Sequence, residues 1–347
     1  MKEITIKNKK LATTIYLDNN LDKFKLAMQQ HKLQNTSKLF IIVDNEVSEQ
    51  HNTAIKTLTN GYNFSKYEFA TSNTTKDFKT IESLYDFFML GSVDHDSVIV
   101  AIGGKTVINL VAFAASTYKG GIPLIILPTT LSSQVDECLK EKYSYDYKNV
   151  EGCISTQCSP VFVYIAINFL HTRNPQEFVN GILRITNYAL LKDMSLLSFM
   201  DENYKHIFEG ENDKLLHIIK EGLKIKEELF NEGNTFFIGK ELGRFLVNNV
   251  NKNLSKETSI ALGMLVCLKL SEIKLKDTSD NYNKLRDLFI KVGLPITCQI
   301  DNLPSIINKT KNIKFIILDD KGLLQDKIKI EEKDILLAIK ESIVKES

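Results

Sequence analysis

Apolar and polar positions along this chain follow two different rhythms. In the first half, short β-branched runs, KLFIIVD (38–44), YNFSKYEFA (62–70), SVIVAIGG (97–104) and PLIILPTT (123–130), alternate with amphipathic stretches such as 77–90 and 105–118. That alternation predicts βαβ units and a largely parallel sheet. From about residue 175 the period lengthens to that of helices, over 175–201, 203–228, 236–250, 255–275 and 280–292, with one short extended piece, IKFIILD, at 313–319. The expected architecture is α/β: a largely parallel sheet in the first half, then a mostly α-helical second half.

Ligands of open parallel sheets collect beyond the strand C-termini. Two features lie there. Asp44 ends the first strong strand, where its carboxylate suits either a ribose hydroxyl or the cap of the next helix. The stretch VIVAIGGKTVINLVAFAAS (98–116) runs from strand through Gly103, Gly104 and Lys105 into a helix. A phosphate-gripping P-loop needs a glycine five positions before its Gly-Lys pair, and Ile99 stands there instead. What remains is a glycine turn at a helix N-terminus, which suits a pyrophosphate and equally serves as an ordinary strand-to-helix turn.

Composition narrows the classes. With 44 basic and 43 acidic side chains the formal net charge is +1, which implies no basic face for nucleic acid. The N-terminal MKEITIKNKK lacks the apolar core of a signal peptide, and no apolar run reaches the roughly 18 residues that span a bilayer. A cytoplasmic protein without membrane partners is expected. The five cysteines form no CxxC and the six histidines no HxxxH or HExxH, so neither a disulfide framework nor a zinc knuckle is indicated.

With strand, glycine turn, apolar helix, second strand and PTTL in that order, AIGGKTVINLVAFAASTYKGGIPLIILPTTLSSQVD resembles the 3-dehydroquinate synthase family of sugar-phosphate cyclases. That family reads Gly-Gly-Gly-x-x-x-Asp, a helix ending in Tyr-x-Arg-Gly, and PTTLL-x-QVD. The likeness continues through NFLHTRNPQEFVNGILRITNYALLKD (168–193), IGKELGRFL (238–246) and SKETSIALGM (255–264), so that it spans about residues 36–340. It implies an N-terminal Rossmann-like, doubly wound domain over residues 1–160 and a C-terminal α-helical domain over 161–347, NAD and a divalent metal, usually zinc, and conversion of a seven-carbon phosphate sugar by oxidation, phosphate elimination, reduction and ring closure. It also implies a dimer.

Carried over residue by residue, the resemblance finds departures at the chemistry. A catalytic zinc takes about three neutral or anionic ligands; the family's glutamate and two histidines stand here as Arg184, Lys240 and Lys256. The second histidine of its His-Thr-x-Gly-His motif is Arg244, the lysine of its Glu-x-x-Lys helix is Asn187, and the arginine of Tyr-x-Arg-Gly is Gly120. On the cofactor side the third glycine is Lys105 and the motif aspartate is Asn109, while Thr74 and Asp77 stand where a Glu-x-x-Lys nucleotide clamp is expected. Zinc is therefore not expected, and NAD binding in the family manner is not relied on. Lys105 is also placed to add a phosphate contact.

The family's loop DSSVGGKT has become DECLKEKYSYDYKNV: Asp136 and Lys142 match in place, Lys148 and Asn149 match a later Gly-Lys-Asn, and the double glycine is Lys140 and Glu141. Candidate nucleotide-binding residues are thus Gly103, Gly104, Lys105, Thr129, Thr130, Leu131, Phe169 and Thr172. Candidate anion-binding residues are Asp136, Lys142, Lys148, Asn149, Arg184, Lys240, Arg244 and Lys256. The retained Thr129, Thr130, Leu131, Phe169, Leu170 and Thr172 also suit purely structural roles.

Three readings remain open. The chain is a synthase-like scaffold that has lost its metal chemistry and works as a binding or partner subunit, as a homodimer or beside an intact relative. Alternatively, its cationic positions bind a phosphorylated or carboxylate small molecule without metal, or it still forms 3-dehydroquinate. The related iron-containing alcohol dehydrogenases share the two-domain plan, but their ligand histidines are missing as well.

Overall fold

The computed structural model describes residues 1–7, 12–70, 77–148, 150–172, 174–233, 236–276, 280–300, 313, 315–319, 322–325 and 328–344. Its contacts divide the chain into two compact units, Met1–Gly181 and Ile182–Ser347.

In the first unit the elements run β1 (Lys2–Lys7), β2 (Ala12–Asp18), α1 (Phe24–Gln30), β3 (Leu39–Asp44), α2 (Asn45–Gln50), α3 (Asn52–Thr59), β4 (Phe64–Phe69), α4 (Phe78–Leu90), β5 (Val98–Gly103), α5 (Lys105–Thr117), β6 (Leu124–Pro128), α6 (Leu131–Val135), β7 (Lys142–Tyr147), β8 (Val150–Gln157) and β9 (Phe162–Ala166). Seven strands form one sheet in the order β1-β2-β9-β6-β5-β3-β4, parallel except for β1 against β2. β3, β5, β6 and β9 are buried at every position, as strands covered on both faces must be, which is why they read as unbroken apolar runs. Ile41 and Val43 face a core with Phe24, Met28, Ile55 and Leu58 of α1 and α3. Phe40 meets Phe87 of α4 edge to face at 5.7 Å. Helices therefore cover both faces, and the doubly wound arrangement holds.

β9 lies beyond the residue-160 boundary read from the sequence, yet it pairs with β2 and β6 inside the first sheet. β1 and the hairpin of β7 and β8 carry no long apolar run and were not anticipated. The chain passes from β3 outward to β4 and then back to β5 on the other side of β3. The direction of winding therefore reverses between the C-terminal ends of β3 and β5, where open α/β sheets leave a crevice.

The second unit continues through α7 (Pro175–Lys192), which spans the division, then α8 (Met194–Glu202), α9 (Tyr204–Glu209), α10 (Asn212–Asn231), α11 (Lys240–Asn249), α12 (Lys256–Leu275), α13 (Asn281–Lys291) and α14 (Glu332–Ser342). The predicted helix over 175–201 is two helices, because Asp193 caps α8 by accepting from Ser195 N. The one over 203–228 is also two, broken at Gly210, whose φ of +85° is left-handed. α12 is apolar almost all round, with Ala261, Leu262, Met264, Leu265, Val266 and Leu268 buried, as suits a central helix. α11 crosses it at backbone contact: a Cβ on Gly243 would stand 2.6 Å from the Ser259 carbonyl oxygen, and one on Gly263 would stand 2.8 Å from Gly239 Cα. The extended piece at 313–319 forms no sheet strand among its described residues; Leu318 makes an isolated bridge to Leu324.

Candidate functional site

Beyond the ends of β3, β5, β6 and β9, the first unit opens a cavity of about 360 Å³. Its walls are Asp44, Glu46, Val47 and Gln50 from the end of β3 and α2, Gly104 to Val107 from the start of α5, Thr129 and Thr130 after β6, and Phe169, Thr172, Asn174 and Glu177. It thus sits at the winding reversal and gathers Gly104, Lys105, Thr129, Thr130, Phe169 and Thr172. Gly103 ends β5 just behind it, and Leu131 is core, 1% exposed.

The glycine turn is needed here. A Cβ on Gly103 would meet Val107 Cγ2 at 2.8 Å, and one on Gly104 would meet Thr130 Cγ2 at 3.2 Å. Gly104 is the N-cap of α5 and supplies no side-chain cap. The retained residues also hold the fold. Thr130 caps α6, accepting from Ser133 N at 3.2 Å. Thr129 N donates to the Gly103 carbonyl at 3.1 Å. Thr172 Oγ1 lies 2.7 Å from His51 Nε2, whose ring packs edge-on against Phe169. Asp44 caps α2, accepting from Glu46 N at 2.9 Å and Val47 N at 3.3 Å, while still lining the cavity.

Lys105 lines the cavity and is also shared with an acid beside it. Its Nζ reaches Glu137 Oε1 at 3.8 Å, and Lys140 Nζ pairs with Glu137 Oε2. Asn109 Nδ2 completes the set, donating to Glu137 Oε2 at 3.2 Å and to the Lys105 carbonyl at 2.8 Å. The Glu137 side chain is 2% exposed, so the network is largely buried on its acidic side. Glu177 has surface open to solvent, yet the protein around its carboxyl strips away enough water to raise its pKa, and the charges of Asp44 and Glu46 add to the shift. Burial lowers the pKa of His51, and the neighbouring His171 lowers it further.

The remaining loop candidates are dispersed. Asp136 is buried at the end of α6. Lys142 opens β7, whereas Lys148 follows it in the hairpin turn with φ +47°, its Nζ over the Tyr147 ring. Six residues of strand set the two lysines roughly 17 Å or more apart, so the hairpin does not bring them together. Asp77 caps α4, accepting from Thr80 N at 3.0 Å. Asn149 and Thr74 lie outside the described residues.

A second cavity, of about 220 Å³, lies within the second unit. Lys240 and Arg244, one helical turn apart at the start of α11, line it together with Glu241, Phe236, Phe237 and Cys267. Arg184 of α7 stacks its guanidinium on the Phe237 ring, Cζ 4.4 Å from the centroid. Two of the four cationic candidates, Lys240 and Arg244, therefore line one cavity, and Arg184 stacks on a ring of its wall. Lys256 begins α12, exposed and not part of the lining.

Asn187, 1% exposed, positions this cavity: its Nδ2 donates to the Phe236 carbonyl at 3.2 Å and its Oδ1 accepts from Ile238 N at 2.8 Å. The lining segment and the start of α11 hang on that amide. Among the described residues no group of three or more His, Cys, Asp or Glu side chains is arranged to hold a metal ion.

Sequence reasoning missed Glu46, Gln50, Glu137 and Glu177. A signal existed for Glu137: two glycines had become Lys105 and Lys140 while a new carboxylate entered the same matched segment, which is the pattern of charge compensation.

The family model described as "3-dehydroquinate synthase N-terminal" matches residues 66–180. The 3-dehydroquinate synthase of Clostridium tetani is 35% identical over 343 residues, covering 95% of this chain and 92% of that protein. The protein of the same name from Acetivibrio thermocellus is 24% identical over 304 residues, covering 85% and 84%. Among solved structures, 2-deoxy-scyllo-inosose synthase in complex with carbaglucose-6-phosphate, NAD+ and Co2+ superposes with a TM-score of 0.79 at 16% identity, covering 99% of this chain and 100% of that one. The 2-epi-5-epi-valiolone synthase of Streptomyces hygroscopicus subsp. jinggangensis 5008, with NAD+ and Zn2+ bound, gives 0.76 at 16%, covering 96% and 97%. No helix among the described residues is long and apolar enough to cross a membrane. By its match to the C. tetani protein over nearly its whole length, and by the fold it shares with the cyclases, this chain belongs to the 3-dehydroquinate synthase family.

Proposed function

We propose that this family member works without a divalent metal and holds a small anion, phosphorylated or carboxylate, in the cavity of its helical domain, so that it is a binding relative of the synthases rather than a metal-dependent cyclase. The observation that carries this reading is the placement of Lys240 and Arg244 on one cavity whose wall residue Phe237 is stacked by Arg184. Lys240 and Arg244, one helical turn apart, set two cations on one wall of the cavity, and a guanidinium is the donor best matched to a carboxylate or phosphate.

The metal implied by the family does not suit this donor set. Guanidinium and ammonium groups offer no lone pair while protonated, and like charges at the ligand positions oppose a dication. No step is therefore derived through a metal. The cavity of the first unit suits a nucleotide better: it has the crowded glycine turn, an α5 start without a side-chain cap, and a place at the winding reversal. Asp44 is engaged in a helix cap and Lys105 in the Glu137 network, so the reading gives NAD a weakened hold there.

Calorimetric titration with inorganic phosphate tests the proposal. Wild type should bind it, and Arg184→Met, which keeps an apolar stem on Phe237 but removes the charge, should weaken binding about tenfold. Equal affinity in both would refute the role of Arg184. Sedimentation of the chain alone, and mixed with an intact relative, tests whether it acts as a homodimer or as a partner subunit.

The alternative of a working 3-dehydroquinate synthase is favoured by one observation, the 35% identity to the C. tetani protein of that name. It requires turnover of the seven-carbon phosphate sugar with NAD and a divalent ion.

A further inference from the structure

Four positions where the chain departs from its family's motifs lie far apart in sequence and meet in space. Lys105 replaces the third glycine of the turn, Asn109 the motif aspartate, Lys140 a glycine of the loop, and Glu137 the first serine of DSSVGGKT. The other three contact the carboxylate of Glu137: Lys105 Nζ at 3.8 Å from Oε1, Lys140 Nζ on Oε2, and Asn109 Nδ2 at 3.2 Å from Oε2. A lone buried carboxylate would be expensive, and so would two lysines crowded at the positive end of a helix; together they offset one another. The departures are thus a single coupled exchange rather than four separate losses.

We propose that Glu137 is an internal counter-anion that locks the 136–142 segment onto the start of α5 and competes with the phosphate of an incoming ligand for Lys105. Its place supports this. Lys105 is both a partner of Glu137 and part of the cavity wall beside Gly104, so one ammonium serves two anions that cannot both be satisfied. With Glu137 in place, that positive charge is already answered from inside the protein, and a nucleotide gains less from it. A ligand that wins Lys105 loosens the network that ties Lys140 and Asn109, and so frees the loop. The inference rests on the reading of this cavity as a nucleotide site, and it makes Glu137 a positioning residue that sets the strength of that site.

The test is calorimetric titration of the full chain with ADP at fixed ionic strength. Glu137→Gln keeps the size and one acceptor but removes the competing charge, and it should bind ADP about tenfold tighter than wild type. Adding Lys105→Met to that variant should abolish the gain. A merely structural Glu137 would give the opposite sign, since disturbing a buried network weakens a neighbouring site. ADP affinity that does not rise in Glu137→Gln overturns the lock. If wild type and variant bind ADP equally, the nucleotide reading stands and the lock alone falls; if neither binds it, both fall. Should Glu137→Gln fail to fold by circular dichroism, Glu137→Asp, which withdraws the carboxylate by one methylene, should show a smaller gain, and no gain there overturns the proposal equally.

Discussion

Asn187→Ala tests whether the departures from the family have become part of the architecture. The Asn187 amide ties α7 to both Phe236 and Ile238: it donates to one backbone carbonyl at 3.2 Å and accepts from one backbone N–H at 2.8 Å. Asn187 is 1% exposed and Ile238 0%, so water does not replace these partners without opening the packing. Each hydrogen bond contributes about 1 kcal/mol net, and leaving the Ile238 N–H buried and unmade costs about 1–3 kcal/mol more. Allowing for partial relaxation, the loss should be about 2–4 kcal/mol. With a urea slope of about 3 kcal/mol/M, the unfolding midpoint should fall by about 1 M. Asn187→Asp separates the two bonds, keeping an acceptor for Ile238 N–H but setting a carboxylate oxygen against the Phe236 carbonyl; it should be at least as damaging. The assay is urea unfolding followed by far-UV circular dichroism, with phosphate titration of the folded variant alongside. A loss under about 0.5 kcal/mol, the range of a neutral surface change, would show that the amide does not hold the cavity's wall.

Other expectations follow from the same structure. Gly243→Ala places a Cβ 2.6 Å from the Ser259 carbonyl oxygen where α11 crosses α12, and should destabilise by about 1–3 kcal/mol in the same urea assay; an unchanged midpoint would mean that the crossing has slack. His51, whose pKa is held below its usual 6.5 chiefly by burial, binds fewer protons folded than unfolded, so stability should fall as pH drops below about 6.5, and His51→Gln should flatten that slope in pH-dependent melts.

The parts legible from sequence were those where chemistry is local. β3, β5 and β6 announce themselves because strands buried on both faces are continuously apolar. β1, KEITIK, is a half-polar edge strand, and β7 and β8, with Tyr143 and Tyr145 inward and Ser144 between them, read as an altered loop rather than a hairpin. Helix breaks at Asp193 and Gly210 were missed because the apolar period continues across them. At the site, Gly104, Thr130 and Thr172, named from the resemblance, lie on the walls of one cavity, and Asp44, read as either a cap or a ligand group, both caps α2 and faces that cavity. What sequence could not show was convergence. The link of Lys105 to Glu137 spans more than thirty positions and that of Asn187 to Ile238 about fifty, and each looks like an isolated loss until the contacts are seen. Lys142 and Lys148 illustrate the reverse, since neighbours in a motif are carried to opposite ends of a strand.

The central claim is that cations at Arg184, Lys240 and Lys256 leave the family's metal position without ligands. Elemental analysis of the purified full chain, after incubation with equimolar zinc or cobalt and desalting, tests it most directly. The account predicts far less than one metal ion per chain, and no gain in turnover of the seven-carbon phosphate sugar when metal and NAD are supplied. One tightly held equivalent, retained through desalting and lost together with synthase turnover on chelation, would contradict it.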